Sequence, residues 1–550
     1  MKSSFKFISI FAIAAIITDA SASCSGKETP AGTKTLSGNI TVSPPAATTG
    51  TELTATYSGS ETVSYQWKKA AANVGTNTNR YTPIEAGSYT VTVNAAGYAG
   101  KISSAVEVTG STSDPSDAVI YAKQTKQQIT EMGFDIKQPG KADAMTDAII
   151  KRLYTEDGMT LLRIPYYGQI GSSGPGQFSD NGIQLYAKAN RVINMVLKYK
   201  SDVKLFASIR MADNINDGGT CTFPDWVLVN NGATRPATDK KGGTYVLPEK
   251  YAILIYDYLN YMNGLGYKIY ALGVDNESNI PGAVQNQTIV ELKKLLTRAG
   301  LPIPLIVAPE EDKPTPDVLQ AIFDAPDGVG NVDMVASHNY CTMRRQQFNN
   351  YADLGKMATD HGKPFWQSEQ HWGETSQWLP NFSNSLNRAD GGLSLLFDFI
   401  DNGGSVISWW SYSNSLIGTN SDIKHKIQPL LNKNLLYSYP LTMTPYTQNV
   451  VPGTQNGATE NHGYEKFNIR SFRKDNNIII WLLNNTDVPL PGYCIRIDGE
   501  TIGGNVSFVS WGASNNEISG TAKKVSDSKM EIDVAARRIY MITISGVYGN

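Results

Sequence analysis

The sequence predicts a multidomain protein in which a (β/α)8 TIM barrel is flanked along the chain by two smaller β-domains. At 550 residues the chain exceeds one ordinary domain. Short apolar runs alternate with amphipathic segments through its middle, which is typical of a barrel of parallel strands. Before and after this region the pattern changes to short strands separated by turn residues, which indicates β-domains.

Eight apolar runs of strand length define the predicted barrel. They are residues 131–136, 160–165, 203–208, 268–274, 304–309, 333–340, 364–369 and 405–410. The amphipathic segments between them include residues 184–199, 248–265, 287–299 and 386–401. We assign residues 120–436 to the barrel, in which the chemistry belongs at the carboxyl ends of the strands.

The flanking β-domains are predicted from period-two alternation. In residues 38–110, Trp67 and Tyr89 resemble the core tryptophan and the tyrosine corner of immunoglobulin-like modules, without their cysteine pair. We predict an immunoglobulin-like β-sandwich that acts as a spacer or binds carbohydrate, followed by a linker at 111–119. Residues 437–550 predict a C-terminal antiparallel β-sandwich.

The start of the chain has the layout of an export signal. Lys2 and Lys6 precede an apolar run at 7–18 that is too short to span a bilayer. The run ends at Ala-Ser-Ala-Ser-Cys24, which resembles a bacterial lipoprotein cleavage site, although Ser21 stands where Leu is usual. We predict a signal peptide at 1–23, lipidation of Cys24, a tether at 24–37 and anchoring to the bacterial outer membrane or cell surface. Ordinary signal cleavage, giving a periplasmic or secreted protein, is the alternative.

The net charge argues against nucleic acid as a partner, and the cysteines argue against a disulfide framework or a zinc site. A net charge of −2 offers no basic field for nucleic acid, so a neutral partner is expected, and 10% aromatic residues suit stacking against sugar rings. Apart from Cys24, the cysteines are Cys221, Cys341 and Cys494. Cys221 and Cys341 form a disulfide or stay free thiols. No zinc-like spacing is present. We expect a monomer without metal or cofactor.

Two glutamates, Glu277 and Glu369, each end a strand-like run of the predicted barrel. Cleavage of a glycosidic bond with retention requires two carboxyl groups in one pocket. One must be protonated to supply a proton to the leaving oxygen, and the other must be ionised to attack the anomeric carbon. The register of the strands delivers both glutamates to the same end of the barrel, which points to a glycosidase.

Other strand ends carry polar or aromatic side chains that would face the same cavity. These candidate substrate-binding residues are Arg163, Asn276, His338, Tyr340 and Trp410. Trp409 and Trp410 point to opposite faces of one strand, and we choose Trp410 as the floor of the sugar site. Arg163 has the alternative of a structural ion pair, and His338 that of a core histidine. Loops above the barrel add the candidates Trp226, His371 and Trp372, with Arg210 and Asp213 after the third strand.

These residues carry a resemblance to a known group of enzymes. Asn276-Glu277 after strand four, with Glu369 ending strand seven, resembles clan A of the retaining glycoside hydrolases. Four phrases narrow the resemblance to glycoside hydrolase family 30, which includes glucosylceramidases, endo-xylanases and β-1,6-glucanases. They are Leu-Leu-Arg-Ile-Pro at 161–165, Ala-Pro-Glu at 308–310, His-x-Tyr at 338–340 and Trp-Gln-Ser-Glu at 366–369. The resemblance covers residues 120–550.

The resemblance implies roles for individual residues. Glu277 would be the acid/base and Glu369 the nucleophile, with Asn276 on the sugar 2-hydroxyl and Arg163 beside the nucleophile. The chain departs from the family at 207–213, where a Ser-Pro-Trp-Ser type phrase is usual, and at Ser278, where Pro is common. Both departures leave the substrate open.

The sequence therefore predicts a retaining β-glycoside hydrolase that cleaves a glucan- or xylan-type polysaccharide by double displacement. The alternative is a non-catalytic surface lipoprotein that binds glycans with a barrel of glycosidase origin. The presence of both glutamates favours the enzyme, because binding alone requires neither.

Overall fold

The chain divides into two compact units, Met1–Thr112 and Ser113–Asn550. The structure is a computed structural model. It describes residues 34–49, 51–75, 77–83, 85–109, 116–156, 158–168, 171–210, 223–234, 242–312, 315–338, 351–370, 399–410, 434–440, 467–484, 488–512, 517–536 and 538–549.

Eight parallel strands close into a barrel in the larger unit. They are β1 (Glu131–Asp135), β2 (Leu161–Tyr167), β3 (Lys204–Arg210), β4 (Ile269–Gly273), β5 (Leu305–Glu311), β6 (Met334–His338), β7 (Phe365–Gln370) and β8 (Gly404–Trp409). Each strand pairs with the next, and β1 closes the ring by pairing with β8. The predicted barrel is confirmed, and every strand lies within two residues of its predicted bounds.

Helices follow most of the barrel strands. They are α1 (Pro139–Asp143), α2 (Asp147–Lys151), α3 (Asp180–Tyr199), α4 (Pro248–Gly264), α5 (Gly282–Ala299), α6 (Asp317–Phe323), α7 (Gly328–Asn331) and α8 (Tyr351–Asp360). Shorter turns are the π-helical Arg152–Glu156 and the 3-10 helices Asp225–Val227, Val229–Gly232 and Gly243–Tyr245. Among the described helices, none combines the length and the apolarity needed to cross a membrane.

The longer helices begin and end at residues that suit those positions. The Ser179 hydroxyl accepts the Gly182 N–H at 2.9 Å and caps α3, and Pro248 occupies the first turn of α4. Gly300, with φ of +66°, ends α5 in the left-handed conformation that glycine adopts without steric cost. The apolar faces of these helices pack against the outside of the barrel, where they share one large core with the strands.

The barrel interior is filled with side chains. Phe206 and Trp366 meet edge to face with ring centroids 5.6 Å apart, and Leu161, Val307 and other apolar residues complete this layer. Arg163 lies on top of it, with its guanidinium carbon 5.3 Å from the Phe206 ring centre. The site at the carboxyl end of the barrel therefore stands on a dry, packed floor.

A second sheet of ten strands belongs to the same unit. Its strands, in spatial order, are Glu517–Thr521, Val506–Gly512, Arg538–Ile544, Asn477–Asn484, Phe467–Lys474, Asn434–Pro440, Ala118–Gln128, Leu490–Asp498, Lys529–Val534 and Lys523–Lys524. Two smaller pairs are Glu500–Ile502 with Val547–Gly549, and Ser172–Gly174 with Gln177–Phe178. The C-terminal region is thus rich in strands, while its arrangement as a sandwich stays a prediction.

The strand Ala118–Gln128 is placed differently from the sequence-based expectation, which gave residues 111–119 to a linker and 120 onward to the barrel. It pairs antiparallel with Asn434–Pro440 and parallel with Leu490–Asp498, so the sheet is mixed rather than purely antiparallel. Its first residues, 118–122, are buried and apolar, which explains why they join a sheet core. The first barrel strand begins only at Glu131.

The smaller unit contains short strands in two main sheets. One consists of Ile40–Ser43, Leu53–Tyr57 and Arg80–Tyr81, and the other of Ala46–Thr48, Val106–Thr109, Gly87–Asn94, Ser64–Lys69, Ala72–Val74 and Lys101–Ile102, with Lys34–Thr35 pairing Tyr98–Ala99 separately. Trp67 and Tyr89 are buried in the core of this unit. The Tyr89 hydroxyl donates to the Glu85 carbonyl at 2.9 Å, as a tyrosine corner would. The immunoglobulin-like assignment itself stays a prediction.

Candidate active site

The structure brings five of the predicted site residues together at the carboxyl end of the barrel. Arg163, the third residue of β2, donates to Glu369 on β7 and, at 2.9 Å, to the Asn276 side-chain oxygen after β4. Its Nη2 lies 3.3 Å from His338 Nε2 at the end of β6. His338 Nδ1 in turn lies 2.7 Å from Glu277 Oε1. Four strands thus contribute to one continuous polar network.

The two candidate catalytic glutamates lie close to each other. One carboxylate oxygen from each, together with a ring nitrogen of His338, fall within 4.8 Å of one another. The Glu369 residue is 5% exposed, whereas the Glu277 side chain is 27% exposed. A separation of about 6.5–9.5 Å would leave room for a water molecule between acid and base, and about 5–5.5 Å is typical when one carboxylate attacks directly.

Glu369 is held ionised by three cations. Burial alone would raise the pKa of Glu369, but the positive charges of His338, Lys137 and Arg163 bring this pKa well below its usual range. Lys137 Nζ lies 3.3 Å from Glu369 Oε2, the same oxygen that accepts from Arg163. At neutral pH this carboxylate is therefore an anion, the form that a nucleophile needs.

His338 is a cation between carboxylates. Burial alone would lower the pKa of His338, but Glu369, Glu277 and Glu310 together raise it to about 9. Its Nε2 lies 3.7 Å from Glu310 Oε1 and 3.8 Å from Glu369 Oε2. The structure thus places this histidine in the site and not in an apolar core.

The backbone that carries Glu277 has an unusual conformation. Glu277 and Glu310 both have positive φ, 57° and 56°, and the Glu277 N–H donates to the Glu310 carbonyl at 3.1 Å. Asp275 fixes the start of this loop, because its carboxylate accepts the N–H groups of Asn276 at 2.7 Å and Ser278 at 2.9 Å. Such left-handed residues cost roughly 1–3 kcal/mol each and cluster at functional sites. Their pairing fixes the direction of the Glu277 side chain.

Four polar residues that the sequence reasoning did not assign to the site complete the network: Asp135, Lys137, Ser208 and Glu310. Asp135 accepts from Arg163 Nη1 at 3.0 Å, and Lys137 Nζ donates to the Asn276 side-chain oxygen. Glu310 accepts from Arg163 Nη2 and, at 3.0 Å, from Ser208. These acids and Lys137 surround Arg163, which is fully buried.

Glu310 fills space that a glycine provides. A Cβ on Gly273, the last residue of β4, would lie only 1.5 Å from Glu310 Oε2. Glycine is therefore required at this strand end. Asp135 and Lys137 could have been found from the sequence, because they stand at or just after the carboxyl end of β1. The side chains at the carboxyl ends of the barrel strands face the same cavity, and this rule was applied to the other strands but not to β1.

The remaining predicted residues have different outcomes. Trp410 lies beside the site, 6.0 Å from Lys137 Nζ and 5.9 Å from the Arg210 guanidinium measured to the ring centre, whereas Trp409 is buried in the core around the barrel. Trp226 packs, partly buried, against that same core. Cys494 is a buried free thiol. The residues that lie outside the described part of the chain are Cys24, Asp213, Cys221, Tyr340, Cys341, His371 and Trp372.

Glu277, His338 and Glu369 have the spacing of a metal site, since their ligand atoms are mutually within 4.8 Å. The surrounding charges oppose a metal ion. Arg163 and Lys137 both already donate to Glu369 Oε2, so a divalent cation there would meet two like charges. These three residues are therefore better explained as a network of ion pairs and hydrogen bonds than as the ligands of a metal ion.

A second pair of buried acids, Asp275 and Glu311, supports the Glu277 loop. Burial raises the pKa of Asp275 to about 6, although the hydrogen bonds that it accepts from the backbone N–H groups of Asn276, Ser278 and Ile280 act to lower this pKa. Burial, reinforced by Asp275 and Asp312, raises the pKa of Glu311 to about 9. Glu311 is thus protonated at neutral pH.

This raised pKa predicts that the fold loses stability as the pH rises from about 5 to about 9. Since the pKa of Glu311 is higher in the folded than in the unfolded chain, its contribution is fully present below the unfolded pKa of about 4.3 and is lost as the pH rises toward the folded value. We expect the melting temperature to fall between about pH 5 and about pH 9, and Glu311→Gln to flatten this fall. Thermal unfolding at several pH values checks it, with exposed Glu249→Gln as control. An unchanged slope in Glu311→Gln would contradict the assignment.

The fold agrees with the resemblance stated from the sequence. A closed eight-stranded barrel with glutamates after β4 and on β7, beside a large β-sheet, is the architecture expected for clan A of the glycoside hydrolases. No family model and no curated protein matches the sequence. Solved structures do match the fold.

Three of these structures belong to glycoside hydrolase family 30. The subfamily 8 xylanase from Clostridium acetobutylicum matches with a TM-score of 0.54 and 16% identity, over 78% of this chain and 100% of that one. The endoxylanase from Clostridium papyrosolvens gives 0.51 and 17%, over 78% and 100%. The catalytic domain of a xylanase from Talaromyces cellulolyticus gives 0.52 and 14%, over 78% and 99%. The predicted resemblance to family 30 is confirmed at the level of the fold.

Proposed function

We propose that the chain is a retaining β-glycoside hydrolase that acts on a glucan- or xylan-type polysaccharide. The observation that carries the proposal is the approach of Glu277 and Glu369, since one carboxylate oxygen of each lies within 4.8 Å of the other at the end of the barrel. This distance fits direct attack by one carboxylate, which needs about 5–5.5 Å, better than attack by an intervening water molecule. The fold of the family 30 xylanases supports the same class.

In the first step Glu277 gives its proton to the leaving oxygen while Glu369 attacks the anomeric carbon and forms a glycosyl-enzyme. Arg163 and Lys137 both donate to Glu369 Oε2 and so hold the carboxylate that we assign to the attack. When Glu277 has lost its proton, the cationic His338 at 2.7 Å stabilises the carboxylate that results. Glu277 then takes a proton from water, and this water hydrolyses the intermediate.

The proposal also assigns sugar contacts. Asn276 is half-buried, its side-chain oxygen accepts from Arg163 at 2.9 Å, and its proposed role is to bond the 2-hydroxyl of the sugar in the cleaved position. Trp410, next to Lys137 and Arg210, offers an aromatic face for the pyranose ring. Tyr340 and Trp372 are proposed as further substrate contacts on the strength of the sequence alone.

The test measures product release and its stereochemistry. Purified protein is incubated with xylan, mixed-linkage β-glucan and β-1,6-glucan, and reducing ends are counted while proton NMR follows the anomer first formed. Release from one polymer with initial β-configuration supports the proposal. An initial α-anomer would show inversion, and binding without release would indicate the glycan-binding alternative.

Replacement of Glu277 is expected to have an effect that depends on the leaving group. In Glu277→Gln, hydrolysis of the polymer should fall by about 10²- to 10⁴-fold, since its alcohol leaving group needs a proton. A 2,4-dinitrophenyl glycoside of the same sugar departs without protonation and should still form the glycosyl-enzyme, visible as a burst of dinitrophenol. Equal losses on both substrates would contradict the role of Glu277 as the acid.

We also propose that the protein is exported and acylated on Cys24, which anchors it to the outer membrane or cell surface. The charged start and the short apolar run before Ala-Ser-Ala-Ser-Cys24 support this. Mass spectrometry of the mature N-terminal peptide tests it. An acylated Cys24 is expected, and an unmodified new N-terminus would favour ordinary signal cleavage.

A further inference from the structure

Lys137 is a completely buried cation of the site to which the proposed mechanism assigns no separate role. It follows β1, its side chain is 0% exposed, and its Nζ contacts Glu369 Oε2 at 3.3 Å, Asp135 Oδ2 at 3.6 Å and the Asn276 side-chain oxygen. A lysine loses much hydration when it is buried completely, so such a position must be stabilised by these partners. Since it has no exposed surface, Lys137 acts on a substrate only through other residues.

We propose that Lys137 is a positioning residue that fixes both the nucleophile Glu369 and the amide of Asn276 in their working orientations. The proposal rests on the proposed glycosidase function, because the working orientations are those of that reaction. It adds a residue that the sequence analysis did not assign to the site and that the resemblance did not imply.

The effect on Asn276 follows from the chemistry of the two donors. Lys137 Nζ and Arg163 Nη2 both reach the Asn276 Oδ1 position, the latter at 2.9 Å. Lysine and arginine have no acceptor atoms, so the atom facing them must be the amide oxygen. The amide NH2 therefore points away from both cations, and toward a substrate it can act only as a donor. A substrate hydroxyl next to Asn276 must then accept this hydrogen bond, so the proton of the hydroxyl is available for a carboxylate such as Glu369.

The effect on Glu369 is electrostatic. Charged and titratable groups surround its carboxylate or the cations that hold it, and they come from five other strands or the loops that follow them: Asp135 and Lys137 from β1, Arg163 from β2, Glu277 after β4, Glu310 from β5 and His338 from β6. Arg163 is shared with Asp135 and Glu310. Lys137 thus supplies positive charge to Glu369 that the shared guanidinium does not supply alone.

Two variants separate the charge of Lys137 from its donor group. Lys137→Met keeps the stem and removes both, whereas Lys137→Gln keeps an N–H donor without the charge. For the aryl β-glycoside that the wild type hydrolyses, both should lower kcat/KM by about 10- to 100-fold. The acidic limb of the pH profile of kcat/KM should move up by about one pH unit in both. Lys137→Met should also discriminate less between this glycoside and its 2-deoxy analogue, because the Asn276 amide then keeps only one of the two donors that orient it.

A matched control distinguishes these effects from general damage. Lys293 on α5 is half-buried and also holds an asparagine, donating to the Asn331 side-chain oxygen at 3.2 Å on the outside of the barrel. Lys293→Met should leave both the acidic limb and the 2-deoxy discrimination unchanged. If Lys137→Met keeps the wild-type acidic limb and the wild-type discrimination, the positioning role is wrong.

A stability measurement separates failure of this proposal from failure of the proposed function. The unfolding of the wild type, Lys137→Met, Glu369→Gln and the double variant forms a thermodynamic cycle that needs no substrate. We expect the double variant to be more stable than the sum of the single effects implies, since each single change leaves one charge without its partner. An additive cycle would overturn the proposal even in an active enzyme. Coupling without turnover on any polymer would instead reject the glycosidase function and, with it, the catalytic role of Lys137.

Discussion

Replacing Glu369 with Gln is expected to reduce hydrolysis by about 10³- to 10⁶-fold, the range seen when a nucleophile is removed from an enzyme. Glutamine has nearly the same size and retains an oxygen that can accept from Arg163 and Lys137. It lacks the negative charge that these cations stabilise and cannot form the glycosyl-enzyme. Reducing-sugar release by equal amounts of the two proteins, on the polymer that the wild type cleaves, measures the loss.

The control for this variant is the same chemical change outside the barrel mouth. Glu291 lies on α5, where it pairs with Lys294 at 2.8 Å, and Glu291→Gln should retain full activity. Intact mass after incubation with a 2,4-dinitrophenyl 2-deoxy-2-fluoro-glycoside provides a second readout. The wild type and Glu291→Gln should gain one glycosyl unit and Glu369→Gln none. Normal turnover by Glu369→Gln would assign the nucleophile to another residue.

The barrel was predictable because its strands are buried on both faces. Parallel strands of this kind form continuous apolar runs, and the eight runs stand out against the amphipathic segments between them. The site was predictable to the extent that strand ends converge. Arg163, Asn276, Glu277, His338 and Glu369 each follow from that geometric rule, and the structure brings them into contact.

The partners of these residues were not predictable from local pattern. Glu310 and Glu311 are neighbours in the sequence, and only one of them contacts Arg163. Which one does so depends on an irregular register between β5 and β6, at Pro309 and Glu311, and on the positive φ of Glu310. Alternation along a strand does not reveal a bulge of this kind. The charge network around Arg163 is therefore a property of the folded barrel.

The pairing of Ala118–Gln128 with distant strands was also not predictable from local pattern. The apolar run at 118–122 was visible, but its partners, Asn434–Pro440 and Leu490–Asp498, lie more than 300 residues further along the chain. Sequence proximity favoured a linker that leads into the barrel. The apolar side chains of this run are instead buried in the core of the second sheet, which outweighs the tendency of elements close in sequence to lie side by side.

Replacing Arg163 with Met is expected to lower the free energy of unfolding by about 3–5 kcal/mol at neutral pH, since it leaves buried carboxylates without their cation. Arg163 donates to Asp135 at 3.0 Å and to Glu310, both of which are buried. Burial alone would raise the pKa of Glu310, but Arg163 and His338 hold it below its usual range. This depressed pKa stabilises the fold above the unfolded pKa, and the contribution is lost as the pH falls through the folded value.

The loss in Arg163→Met should therefore be larger at pH 7 than at pH 4, where carboxyl groups left without a cation can take up protons. Denaturant unfolding followed by circular dichroism at both pH values measures it. The double variant Arg163→Met, Glu310→Gln removes a charge together with its partner and should recover part of the stability, although not the activity, since Glu369 has also lost its donor. A double variant no more stable than Arg163→Met would mean that the guanidinium contributes by packing on Phe206, and that the charge network does not hold this end of the barrel together.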